Sequence, residues 1–132
     1  MKVCKWILGV VCWFVFSCIH AQDVAPPDGK ALYEQTCLAC HQADGSGVPN
    51  LAPPLIEGVF VNGDKAKLIS IILNGLQDVE IKGEYYANPM PAFDYLSDAQ
   101  IAEVLTYVRS NFKNKGEPIT ASEVKEVRAL KK

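Results

Sequence analysis

Two cysteines separated by two residues and followed at once by a histidine, Cys37-Leu38-Ala39-Cys40-His41, form the densest group of reactive side chains in the sequence. On one turn leading out of a helix, thiols three positions apart face the same side, so both can reach the two vinyl groups of a single porphyrin. His41 is then carried beneath the iron, where an imidazole nitrogen serves as the proximal axial ligand. The spacing reads as attachment of one haem c, covalently bound through Cys37 and Cys40. Other uses of such a pair are a simple disulfide, a thioredoxin-like couple and half of a zinc site. Zinc asks for about four protein ligands, or three and a water, which the chain lacks outside the motif. A thioredoxin-like pair asks for a strand-helix-strand setting, whereas the residues before Cys37 read as helix.

The N-terminus decides which other ligands remain. Lys2 and Lys5, an apolar run from Trp6 to Phe16 and the small residue Ala21 have the build of an export signal over residues 1–21. The run is too short to span a bilayer. Its removal leaves 132 − 21 = 111 residues, one small domain, holding two cysteines, one histidine and one methionine. Those four residues are Cys37, Cys40, His41 and Met90. An alternative leader reading makes Val15-Phe16-Ser17-Cys18 a lipoprotein processing site with a lipid anchor on Cys18, and either route gives an exported, periplasmic product. The remaining charge is 11 basic minus 15 acidic side chains, or −4, which excludes nucleic acid as a partner by charge.

Met90 lies 90 − 41 = 49 residues beyond the histidine, between Pro89 and Pro91. The prolines exclude a continuous helix and restrict the backbone, so the loop is a platform for one thioether donor. A lone loop methionine otherwise serves packing; here it is read as the distal ligand, giving His41 and Met90 as metal-binding residues. Within the loop-rich stretch 42–63, the carbonyl of Pro53 is a candidate acceptor for the second ring N–H of His41, the alternative being a loop merely stiffened by Pro53 and Pro54.

The elements that must position these residues are helical. Asp28 is an N-cap for a helix to about Cys37, with Gly29, Leu32, Tyr33 and Thr36 on one face. Gly29 marks either a close approach of another helix or a frayed first turn. Asp64 opens a second helix that Gly75 ends, with Leu68, Ile71 and Ile72 on its apolar side. A short hairpin over 79–86 turns at Lys82-Gly83. Ser97 with Gln100 forms a capping box, and Leu96 with Ile101 a hydrophobic staple, for a helix running through Val104, Leu105 and Val108 to about Phe112, with Glu103 and Arg109 on its outer side. Thr120 with Glu123, and Ile119 with Val124, repeat the device for a short helix to about Leu130.

This order of features resembles the class I monohaem cytochrome c family over roughly residues 28–113. The resemblance implies an all-α cytochrome c fold with helices packed around one haem, Gly29 and Tyr33 crossing the last core helix near Leu105 and Val108, Pro53 and Leu55 on the histidine side of the haem, and Met90 as distal ligand. Ala52 stands where the family often has glycine. Leu73-Asn74-Gly75-Leu76, Met90-Pro91-Ala92-Phe93, Val104-Leu105-Thr106-Tyr107-Val108-Arg109 and the tail with Val124 and Arg128 look like the small cytochromes associated with quinoprotein alcohol and sugar dehydrogenases. The expectation is a cytochrome c domain over 22–132, with 114–132 as a C-terminal extension. It carries one electron between protein partners, a dehydrogenase on one side and an oxidase or another cytochrome on the other, and transforms no substrate. Alternatives are a haem module that binds or reduces a small ligand at an open distal site, and a disulfide or metal module without haem.

Overall fold

The computed structural model describes residues 28–130, so the leader readings, Cys18 and the proline-bearing approach lie outside the described residues. Its elements are α1 (Gly29–Thr36), α2 (Leu38–His41), α3 (Lys65–Asn74), a hairpin of β1 (Glu80–Ile81) and β2 (Glu84–Tyr85), α4 (Asp98–Ser110) and α5 (Ala121–Leu130). Each long helix begins where a short polar side chain can take an orphan backbone N–H. Asp28 accepts from Lys30 N–H at 3.2 Å, Asp64 from Lys67 N–H at 2.7 Å and Ser97 from Gln100 N–H at 3.2 Å. The Gln100 side chain returns the bond to Ser97 N–H at 2.8 Å, and Thr120 N–H donates to Glu123 at 2.7 Å, so both expected capping boxes form.

Helix α4 is the spine. Ile101, Ala102, Val104, Leu105 and Val108 are buried along it, α1 crosses it through Leu32 and Tyr33, and α5 covers another side with Val124, which has no exposed surface. Gly29 sits where the α1 backbone meets α4. A Cβ there would collide with the carbonyl oxygen of Glu103 and lie 2.8 Å from its carbon and 3.0 Å from Tyr107 Cβ. The close-approach reading therefore holds over the frayed turn, with the nearest contacts at Glu103 and Tyr107. The rings of Tyr33, Tyr107 and Phe112 extend this seam, with centroids 5.2–5.9 Å apart.

The structure corrects the sequence reading at the end of α4. The helix stops at Ser110, and Phe112 and Lys113 adopt positive φ beyond it. Arg109, expected outside, is only 4 % exposed. Its guanidinium donates to the carbonyls of Val61 at 2.6 Å, Glu117 at 2.7 Å and Gly63 at 3.4 Å. The helical period places Arg109 near the apolar face, and the residues that satisfy it come from two loops that only the folded chain brings together. Asn114 is buried beside it and ties three segments, donating to Leu55 and Val108 carbonyls at 3.0 and 2.9 Å while accepting from Asn62 at 2.7 Å.

Candidate haem site

The motif is split between two helices. Cys37 closes α1, its N–H donating to the Tyr33 carbonyl at 2.9 Å, and Leu38–His41 forms its own turn, with His41 N–H returning to the Cys37 carbonyl at 2.9 Å. The sequence places the first helix end at about Cys37, and α1 ends at Thr36. Both thiols are free, Cys37 half-buried and Cys40 exposed. Burial pushes the Cys37 thiol upward, opposed by its contact with Thr36 Oγ1 at 3.3 Å.

His41 is buried, 8 % exposed, and its Nδ1 lies 2.9 Å from the Pro53 carbonyl oxygen. Pro53 is thus the acceptor expected from the sequence. A carbonyl can only accept, so Nδ1 carries the proton and Nε2 keeps its lone pair. Burial moves the imidazole below its ordinary value, with the Pro53 bond opposing, which favours the neutral form able to bind a metal. The loop is held to present that carbonyl: Gly47 N–H donates to the His41 carbonyl at 3.1 Å, Leu55 N–H to that of Gly45 at 2.8 Å, and Val48 and Ala52 pair through two bonds of 2.9 Å. Ala52 fits this bridge and is 6 % exposed. Tyr33 Oη donates to the Gln42 carbonyl at 2.6 Å, locking the exit of α2 onto α1.

Met90 reaches the same region from the opposite chain segment. Gly75 ends α3 at φ 77°, where a Cβ would lie 2.5 Å from the Met90 carbonyl oxygen. That closeness allows an isolated bridge, with Leu76 N–H donating to Met90 O at 3.0 Å and Met90 N–H to Leu76 O at 2.8 Å. Further ties run from Phe93 N–H to Ile72 O at 2.8 Å, from Ala87 N–H to Asn50 O at 2.9 Å and from Asn88 N–H to Leu51 O at 3.2 Å. The prolines alone suggested stiffness; the structure adds that the methionine loop is sewn to α3 and to the loop after the histidine.

Between these segments lie two adjoining clefts. Cys37, His41, Pro53, Leu76, Ile81 and Met90 line both, so the two are halves of one opening. Cys40 and Tyr86 border the first half, while Leu55, Leu68, Ile72 and Leu105 wall the second. The residues fit a haem: two thiols at one edge, a neutral imidazole, a thioether and an apolar slot for a flat, largely apolar ring. Among the described residues no cluster of three or more His, Cys, Asp or Glu side chains could hold a metal ion, so the zinc alternative finds no further ligands there. All six residues expected from the sequence, Cys37, Cys40, His41, Pro53, Leu55 and Met90, border this opening. What the sequence does not reveal is the frame behind it, notably Asn114 holding the Leu55 carbonyl, because a buried amide in a polar tail has no local signature.

The family model described as cytochrome c matches residues 27–112, well over half of the chain. Cytochrome c-552 of Thermus thermophilus is 40 % identical over 118 residues, covering 82 % of this chain and 79 % of that protein. The fructose dehydrogenase cytochrome subunit of Gluconobacter japonicus is 38 % identical over 110 residues, 77 % of this chain but only 22 % of the relative. A cbb3-type cytochrome c oxidase subunit of Azospirillum brasilense is 38 % identical over 93 residues, 65 % of this chain and 28 % of the relative.

Proposed function

The chain belongs to the cytochrome c family, and from that premise we propose that it is an exported one-electron carrier in which Cys37 and Cys40 attach one haem c and His41 and Met90 are its axial ligands. Bound haem supplies an iron that alternates between ferrous and ferric states, the basis of electron transport in the family. The chain is accordingly a carrier and not an enzyme.

One observation carries the reading: Cys37, His41 and Met90 line both halves of one apolar opening, and His41 already has Nδ1 committed to Pro53 at 2.9 Å. The bond to Pro53 fixes the ring's tautomer and orientation, so Nε2 is the nitrogen offered to a metal. Pairing of Met90 with Leu76 on both its N–H and its carbonyl holds the thioether's backbone in place. A carrier benefits from such fixed ligands, since little has to move when the charge changes. Leu55, Leu68, Ile72 and Leu105 give the inner half an apolar wall. The N-terminal features support export to the periplasm, by cleavage after Ala21 or with a lipid on Cys18. The cytochrome subunits of a dehydrogenase and of an oxidase among the relatives support a redox enzyme as donor and an oxidase or second cytochrome as acceptor.

Expression in a host that attaches haem c tests the core of this reading. The product should be red, retain its haem through denaturation and gain the mass of one haem. Cys37→Ala or Cys40→Ala should each lose one of the two thioether links, and the double variant should yield no stable holoprotein. A colourless, folded wild-type protein would overturn it.

A further inference from the structure

The segment from Met90 to the start of α4 has no regular structure, and Pro91, Ala92, Asp94 and Tyr95 are exposed along it. Pro91 has no N–H, and a donor from another element can hold the carbonyls further along the segment in place. Arg128, near the end of α5, meets two of them. Its Nη1 donates to the Asp94 carbonyl at 2.8 Å and its Nη2 to the Leu96 carbonyl at 2.7 Å, while Nε pairs with Asp98 Oδ1 at 2.7 Å. A planar, permanently charged fork is the side chain suited to three such bonds at once.

We propose that Arg128 is a positioning residue for the axial-ligand loop: from the C-terminal extension it holds the downstream end of the loop whose upstream end is paired to Leu76, and so keeps the Met90 sulfur at the opening. The inference rests on the reading of Met90 as a ligand. α5 has anchors besides Arg128. Val124 is wholly buried, Ile119 is 4 % exposed and joined to Thr106 by bonds of 3.0 and 3.2 Å, and Lys65 pairs with Glu123 at 2.9 Å. Removing the guanidinium therefore takes away the downstream hold on the loop, which then rests on its Met90–Leu76 and Phe93–Ile72 bonds, while the extension stays in place. Asp98 supplies the contrast, because its loss breaks the ion pair but leaves both carbonyl bonds.

The test uses holoprotein of the wild type, Arg128→Gln, Asp98→Asn and Met90→Ala. Amide hydrogen exchange at Met90 and Phe93 reads loop opening without reference to the iron, and the rate of carbon monoxide binding to the ferrous protein reads access to the sixth position. In Arg128→Gln the Met90 and Phe93 amides should exchange about tenfold faster, with α3 and α4 amides such as Ile69 and Leu105 unchanged and carbon monoxide entry accelerated in parallel. Asp98→Asn should change both by less than about twofold. Should Arg128→Gln fail to fold, Arg128→Lys, which keeps the charge but not the fork, should show the same pattern at reduced size. Unchanged exchange at Met90 in the Arg128 variants, or equal effects from Asp98→Asn, would overturn the positioning role. Wild-type carbon monoxide binding as fast as in Met90→Ala would instead overturn the ligand assignment, and with it the functional meaning of the clamp, whatever the exchange pattern shows.

Discussion

Substituting Gly29 by alanine sets two effects of opposite sign against each other. Alanine is the better helix former by up to about 1 kcal/mol, and the position has no positive φ that a side chain would resist. Propensity alone therefore predicts a more stable protein. Packing predicts the reverse, because the new methyl would overlap the Glu103 carbonyl and approach Tyr107 Cβ to 3.0 Å. The Glu103 contact is helix backbone, which cannot rotate aside as a flexible side chain would. Relief requires α1 to move off α4, loosening Leu32 and Tyr33, which are 3 % and 1 % exposed. Overpacking of this kind costs about 1–3 kcal/mol, so a net loss near 1–2 kcal/mol is expected. For a domain of this size that lowers Tm by roughly 4–9 °C. Thermal and urea unfolding of the holoprotein measure it, with the ferrous spectrum as a control that should not change, since Gly29 does not border the opening. A Tm at or above that of the wild type would refute the close approach and restore the frayed first turn.

Met90→Ala should give a ferrous protein that binds carbon monoxide readily and a lower reduction potential, because the thioether that favours ferrous iron is gone; rapid binding already in the wild type would count against the assignment. Arg109→Leu leaves the carbonyls of Val61 and Glu117 without their donor and should cost about 2–4 kcal/mol in urea unfolding; a shift within error would mean that water replaces the guanidinium. Glu123 is held at about 2, below its usual 4.5, first by the Thr120 N–H and then by Lys65. A depressed carboxyl contributes stability in full above its unfolded value and loses it as pH falls through the folded one, so Glu123→Gln should flatten the acid side of the stability profile between about 4.5 and 2; an unchanged acid limb would show the bond to be worth nothing in solution.

What could be read in advance divides by the range over which each signal acts. Helix starts are written in three or four adjacent residues, and Asp28, Asp64, Ser97 and Thr120 each cap where expected. The candidate set Cys37, Cys40, His41 and Met90 is legible because residues of those types are few beyond residue 21, and because Cys-x-x-Cys-His has a spacing that few other chemistries need. Pro53 could be named only as a candidate: a carbonyl's role depends on where the loop returns, and the turn at 42–55 is set by the bonds of Gly45 and Gly47. Arg109 was misplaced because its type argues for solvent while its helical position argues for the interior, and the deciding carbonyls lie 46 or more residues away or in the tail. Arg128 and Asn114 act through partners 30–34 and 59 residues distant, and nothing adjacent in sequence announces them.

The crossing of α1 and α4 joins the beginning of the described chain to a helix about seventy residues later, with Gly29 against Glu103. A polypeptide is made from its N-terminus, so Cys37, Cys40 and His41 exist long before the helix that will close over them. For the time taken to synthesise some sixty further residues, Tyr33 and Leu32 have no α4 to pack against, and the thiols stand on a strand of chain that cannot yet fold around them. On the proposed reading, in which Cys37 and Cys40 attach haem c, closure comes after the cysteines have emerged, because the contact between Gly29 and Glu103 cannot form until α4 has arrived.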